Sequence, residues 1–109
     1  MTRLAIATGD PAGIGPEVSV RALAALGDGV SATLFGDGRD LLARLARAGL
    51  GGRVEVHDAG PCDPAVVRAH ADHAASGRLA LAALDAAIDA VLEGRASAVV
   101  TAPVTGSKA

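Results

Sequence analysis

The residues best suited by type and spacing to do chemistry are Thr8-Gly9-Asp10-Pro11-Ala12-Gly13-Ile14-Gly15-Pro16-Glu17. Glycines allow tight turns and close approach of a ligand to the backbone. A helix opening at Pro16 would present free N–H groups and partial positive charge, which suit a phosphate or carboxylate. The glycines fall as G-x-x-x-G-x-G, and Pro16-Glu17 stands where a phosphate-binding loop carries lysine. The segment is therefore neither the dinucleotide fingerprint nor a P-loop. Spacing alone leaves two readings open, a ligand site with Asp10, Gly13, Gly15 and Glu17 at its cleft, or a structural strand-to-helix turn. In the second reading Asp10 forms the turn and Glu17 complements the helix dipole.

Other reactive side chains are sparse. Thr101 ends an apolar run and could line a cleft at a strand end. His70 and His73 could share a helical face beside Asp72, but no convincing third ligand accompanies them, and no metal ligand is assigned to them or to His57. Asp85, Asp89 and Glu93 have the spacing of a solvated helix face. Cys62 is the only cysteine, which precludes an internal disulfide and fits a reducing compartment.

The elements that position these residues alternate. Leu4–Thr8 is a short apolar run stopped by Gly9-Asp10-Pro11, a buried strand entering a loop. A helix follows, with Gly15 as N-cap, Pro16 at its first position and Val20, Leu23 and Ala24 as its apolar stripe. Ser31–Phe35 is a second strand running into Gly36-Asp37-Gly38. Leu41, Leu42, Leu45 and Ala48 mark a second helix, and Val54–His57 alternates like a strand near a sheet edge. Residues 60–75 are left unassigned beyond a turn at Gly60–Pro64. A long helix is predicted from an N-cap at Ser76, with Leu81, Leu84, Ile88, Val91 and Leu92 as its apolar positions. Ala98–Ala102 is a fourth strand, stopped by Pro103. This alternation predicts an α/β fold, helices layered on a mainly parallel sheet, without an internal repeat or domain boundary.

Composition narrows the function. The chain has 109 residues, room for one modest core, and 26 alanines against 12 leucines and one phenylalanine keep its apolar area per residue small. A net charge of −2 and the absence of Trp and Tyr argue against a nucleic-acid binder. No apolar run approaches the roughly 18 residues of a membrane span, and no secretion signal opens the chain, so a cytoplasmic protein is expected.

The string GDPAGIGPE at positions 9–17 resembles the N-terminal signature of the 4-hydroxythreonine-4-phosphate dehydrogenase family. Val100-Thr101-Ala102-Pro103-Val104 resembles a second landmark of that family, and Ser76-Gly77-Arg78 opening an Ala-rich helix is also similar. The resemblance implies an isocitrate/isopropylmalate dehydrogenase-like fold. It further implies NAD- or NADP-dependent oxidation and decarboxylation of 4-phosphooxy-threonine in vitamin B6 biosynthesis. A divalent metal would polarise the substrate oxygen while nicotinamide accepts hydride. Family members hold the metal with histidines on separate segments and complete the site at a homodimer interface, so no catalytic or metal residue is transferred to this chain. Lys108 resembles the lysine that follows the family's T-A-P strand and could contact substrate phosphate, although Thr105-Gly106-Ser107 shifts its register.

On this reading residues 1–109 are the N-terminal part of a larger dehydrogenase, inactive alone. Three helical segments would leave part of a sheet face without cover. A related dehydrogenase acting on a phosphorylated sugar acid or a cyclic dihydrodiol is the near alternative. A non-catalytic anion-binding domain built on the Gly9–Glu17 loop is the distant one.

Overall fold

The computed structural model describes residues 3–11, 13–60 and 73–102, with side chains from residue 77 onward in the last stretch. Strand β1 (Arg3–Ala7) leads to helix α1 (Gly15–Leu26), a 3-10 turn (Gly27–Gly29), β2 (Ser31–Gly36) and α2 (Gly38–Arg47). Then come β3 (Glu55–Asp58), α3 (His73–Leu92) and β4 (Ala98–Thr101). The four strands form one sheet in the order β3-β2-β1-β4. Every pairing is parallel, with Ile6 opposite Leu34 and Val100 in adjacent strands. The layered α/β fold read from the sequence is the one observed, and β3 lies at an edge, as its polar alternation requires.

Strand alternation divides the core between two faces. Ile6, Ala32 and Leu34 point toward α1 and α2, where Val20, Leu23, Leu41, Leu45 and Leu50 bury against them. Ala5, Ala7 and Phe35 point the other way and meet Ala83, Ala87 and Ala90 of α3. The first face is filled by branched side chains. On the second, alanine meets alanine around Phe35, a surface with little relief that lets α3 approach closely.

Local boundaries differ from expectation where hydrogen bonding decides them. Ile14, not Gly15, caps α1, because Val18 N–H reaches the Ile14 carbonyl at 2.9 Å and closes the first turn one residue earlier. Helix α3 starts at His73, so Ser76 is an interior residue rather than a cap. Ala24, Leu42 and Ala48, placed on buried stripes by their spacing, are exposed. The largest change of face is in α3. Alanines 80, 83, 87 and 90 bury, while Leu81, Ile88 and Leu92 are exposed. Periodicity located that helix correctly, but the smallest side chains, not the largest, form its contact with the sheet.

Candidate functional site

In a parallel sheet every strand points its carboxyl end to the same edge, and ligands bind there where the strand order reverses, as it does when β4 returns to the far side of β1 after β2 and β3. Here that point lies between β1 and β4. From β1 the chain turns into α1 on one face, while β4 is entered from α3 on the other. The connection from Thr8 to Gly15 leaves β1 at this point, and Gly15 lies against Ala102 at the end of β4.

Thr8 anchors the loop. It is 1% exposed, its N–H donates to the Phe35 carbonyl at 3.0 Å, and its hydroxyl donates to the same oxygen at 3.1 Å. Its side chain fits because Gly36 lies beside it: a Cβ on Gly36 would come within 2.3 Å of Thr8 Oγ1. Gly9 then adopts φ 79°, a left-handed conformation open to glycine. Asp10 is 8% exposed, and its carbonyl accepts from Gly13 N–H at 2.9 Å, closing the turn. Gly15 begins α1 against both strands. A Cβ there would lie 2.0 Å from the Thr8 carbonyl oxygen and 3.1 Å from Ala102 Cβ, so only glycine lets the helix start this close to the sheet. Ser19 Oγ, one turn on, donates to the Gly15 carbonyl at 2.7 Å.

The structure thus brings Gly15, at the end of the turn that Asp10 and Gly13 close, together with the end of β4, where Thr101 lies opposite Ala7 and is exposed. Ala102 N–H donates to the Ala7 carbonyl at 2.9 Å, which holds the two strand ends side by side. Glu17 is at the same end of α1 but is exposed and pairs with Arg21 at 3.2 Å, one turn along its own helix. Lys108, Cys62 and His70 lie outside the described residues.

Two acidic groups at this sheet edge were not singled out in the sequence, where Asp37 stands only within Gly36-Asp37-Gly38 and Asp58 has no assigned role. Asp37 accepts from Asp40 N–H at 3.3 Å as the N-cap of α2. Asp58 Oδ1 accepts from the N–H groups of Gly38 at 3.1 Å and Gly60 at 3.2 Å, tying the end of β3 to the start of α2. The available signal was Gly36 and Gly38 on either side of Asp37 and Gly60 two residues after Asp58. A second concavity, about 610 Å³, lies on the α3 face with Arg3, Thr33, Phe35, Glu55, His57 and Arg95 in its wall. Its charges are already paired, Arg3 with Glu55 and Arg95 with Glu93. His57 contacts the Phe35 ring, with ring centroids 5.0 Å apart.

A divalent cation needs three or more converging donors. Among the described residues no group of three His, Cys, Asp or Glu side chains is placed to hold one. These residues do not fit a metal by themselves. The strand-end loop, with small residues and a helix N-terminus, has the character of a seat for an anionic group.

No family model and no solved structure matches the chain. Two curated proteins do. The 4-hydroxythreonine-4-phosphate dehydrogenase of Burkholderia vietnamiensis (strain G4 / LMG 22486) is 44% identical over 116 aligned residues, covering 96% of this chain and 34% of the relative. That of Thermosynechococcus vestitus (strain NIES-2133 / IAM M-273 / BP-1) is 36% identical over 110 residues, covering 94% of this chain and 32% of the relative. Over nearly its whole length, then, this chain is homologous to the 4-hydroxythreonine-4-phosphate dehydrogenases, of which it spans about a third.

Proposed function

We propose that residues 1–109 are the N-terminal part of a longer cytoplasmic, homodimeric dehydrogenase of vitamin B6 biosynthesis. It oxidises the secondary hydroxyl of 4-phosphooxy-threonine to a ketone with NAD or NADP, and the product then loses carbon dioxide. The observation that carries this reading is the 44% identity over almost all of the chain to an enzyme of that name. The site supports it independently, because the loop joining β1 to α1 lies at the switch point of a parallel sheet, where such folds seat their ligands.

In this assignment Gly13 and Gly15 keep the backbone low, so that an anionic group of substrate or cofactor can approach the start of α1. Asp10 holds the turn and borders the cleft together with Thr101. Glu17 favours the positive end of the helix, and Lys108 contacts substrate phosphate. A bound nicotinamide would supply the hydride acceptor, and a divalent cation, if used, takes its ligands from outside the described residues. Residues 1–109 alone are expected to be inactive.

The test is turnover by the product of the full reading frame. It is to be supplied with 4-phosphooxy-threonine, NAD or NADP, and Mg²⁺, Mn²⁺ or Zn²⁺, alongside a phosphorylated sugar acid and a cyclic dihydrodiol. Reduction of nicotinamide with 4-phosphooxy-threonine is expected. Turnover of a rival substrate alone would reassign the enzyme within its family.

A further inference from the structure

Strand β4 lies at an edge of the sheet but has the sequence of an interior strand. β4 reads Ala-Val-Val-Thr, an apolar, β-branched, uncharged run of the kind found where both neighbours and both faces are covered, whereas the opposite edge, β3, reads Glu-Val-His-Asp. Edge strands are normally protected by charge, proline or a bulge. β3 carries charge and β4 carries none, yet Val100 is 42% exposed and sits on the α1 side of the sheet in register with Ile6.

Both helical layers repeat this asymmetry. Helix α1 buries Ser19, Val20 and Leu23 on the sheet and leaves Val18 (45% exposed) and Leu26 (57%) on one flank with Ala22 between them. At 3.6 residues per turn in a right-handed β1-α1-β2 crossover, that flank faces away from β2, toward β4. Helix α3 buries Ala83, Ala87 and Ala90 and carries Leu84, Ile88 and Val91 on one side, Ile88 being 40% exposed. The same geometry turns that side toward β4, and Leu84 and Val99 are already half-buried against one core. Its acidic residues Asp85, Asp89 and Glu93 lie beyond this stripe. The three layers therefore all end in apolar surface on the same side.

We propose that this side is an internal seam: a strand from the remainder of the longer polypeptide pairs with the edge of β4 that no described strand occupies, and helices flanking that strand cover Val18 and Leu26 on one face and Leu84 and Ile88 on the other. The proposal rests on the reading that the chain is part of a longer protein. The occupant is the rest of the same polypeptide because the relatives are about three times as long as the matched region. A continued three-layer sheet also covers all three surfaces at once.

The test uses the product of the full reading frame. In the unmodified protein the amides of Val99 to Thr101 are expected to exchange with solvent as slowly as those of β1. Val18→Glu, Ile88→Glu and Val100→Lys should each lower its melting temperature by about 5 °C or more without changing its sedimentation, while Leu42→Glu on α2 changes it by less than about 2 °C. Fast exchange in β4, or substitutions at the seam as harmless as that at Leu42, would overturn the proposal. So would variants that only dissociate a dimer, which would assign the surface to a second copy. Where a variant does not fold, the exchange measurement on the unmodified protein decides. Turnover with a freely exchanging β4 would refute the seam and keep the dehydrogenase; a protected β4 without turnover would do the reverse.

Discussion

A Cβ on Gly15 would lie 2.0 Å from the carbonyl oxygen of Thr8. The first turn of α1 is therefore seated directly on the end of β1, and the loop between them is held from both sides, by that contact and by the Thr8 hydrogen bonds to Phe35. The following expectations concern the product of the full reading frame.

Gly15→Ala should be the most damaging single methyl added to this loop. The obstruction is the backbone of Thr8, just past the end of the interior strand β1 and held there by its hydrogen bonds to Phe35, so the start of α1 must lift away from the β1–β4 crevice. Overpacking of this kind costs about 3 kcal/mol, read as a lowered urea midpoint, and KM for the phosphorylated substrate should rise more than kcat falls.

Gly36→Ala should be rescued in part by Thr8→Ala. The added Cβ meets Thr8 Oγ1 at 2.3 Å but Thr8 Cβ at 3.7 Å, an ordinary contact distance. Each single change is expected to destabilise by about 1–2 kcal/mol. The double variant should cost less than their sum by about 1 kcal/mol in a double-mutant cycle. Strict additivity would mean that the two positions do not press on one another.

Asp58→Ala should destabilise by about 2 kcal/mol, because one carboxylate oxygen satisfies the N–H groups of both Gly38 and Gly60. Asp37→Ala, which removes a single cap bond, should cost about 1 kcal/mol. Chemical denaturation of the two variants side by side checks the order.

Arg3→Ala and Glu55→Ala should each change stability by less than about 1 kcal/mol, and the difference should shrink at high salt. The pair bridges β1 and β3 across Thr33, but both side chains are more than a third exposed and water competes for them. A larger, salt-insensitive effect would show that the cleft is closed over in the longer protein.

Much of this architecture is legible in local chemistry. Gly9-Asp10-Pro11 ends a strand, Pro16 suits a helix start, and Val54–His57 alternates like a strand near a sheet edge, because each signal acts through the backbone of a few neighbouring residues. The long string around Gly13 and Gly15 marked the candidate site for the same reason. Glycine reports close backbone approach wherever it is required.

What the linear pattern could not decide is which surfaces meet. In α3, hydrophobicity favours burial of Leu81, Ile88 and Leu92, yet the sheet takes Ala83, Ala87 and Ala90. Contact with a flat layer of Ala5, Ala7 and Phe35 depends on how closely two backbones approach, a property of the assembled pair rather than of either sequence. The partnership of Thr8 with Gly36, the juncture of Asp58 with Gly38, and the placing of β1 between β2 and β4 are likewise long-range. Local chemistry by itself determined the strands, helices and turns; tertiary structure alone chose their neighbours, because those choices depend on the fit between surfaces far apart along the chain.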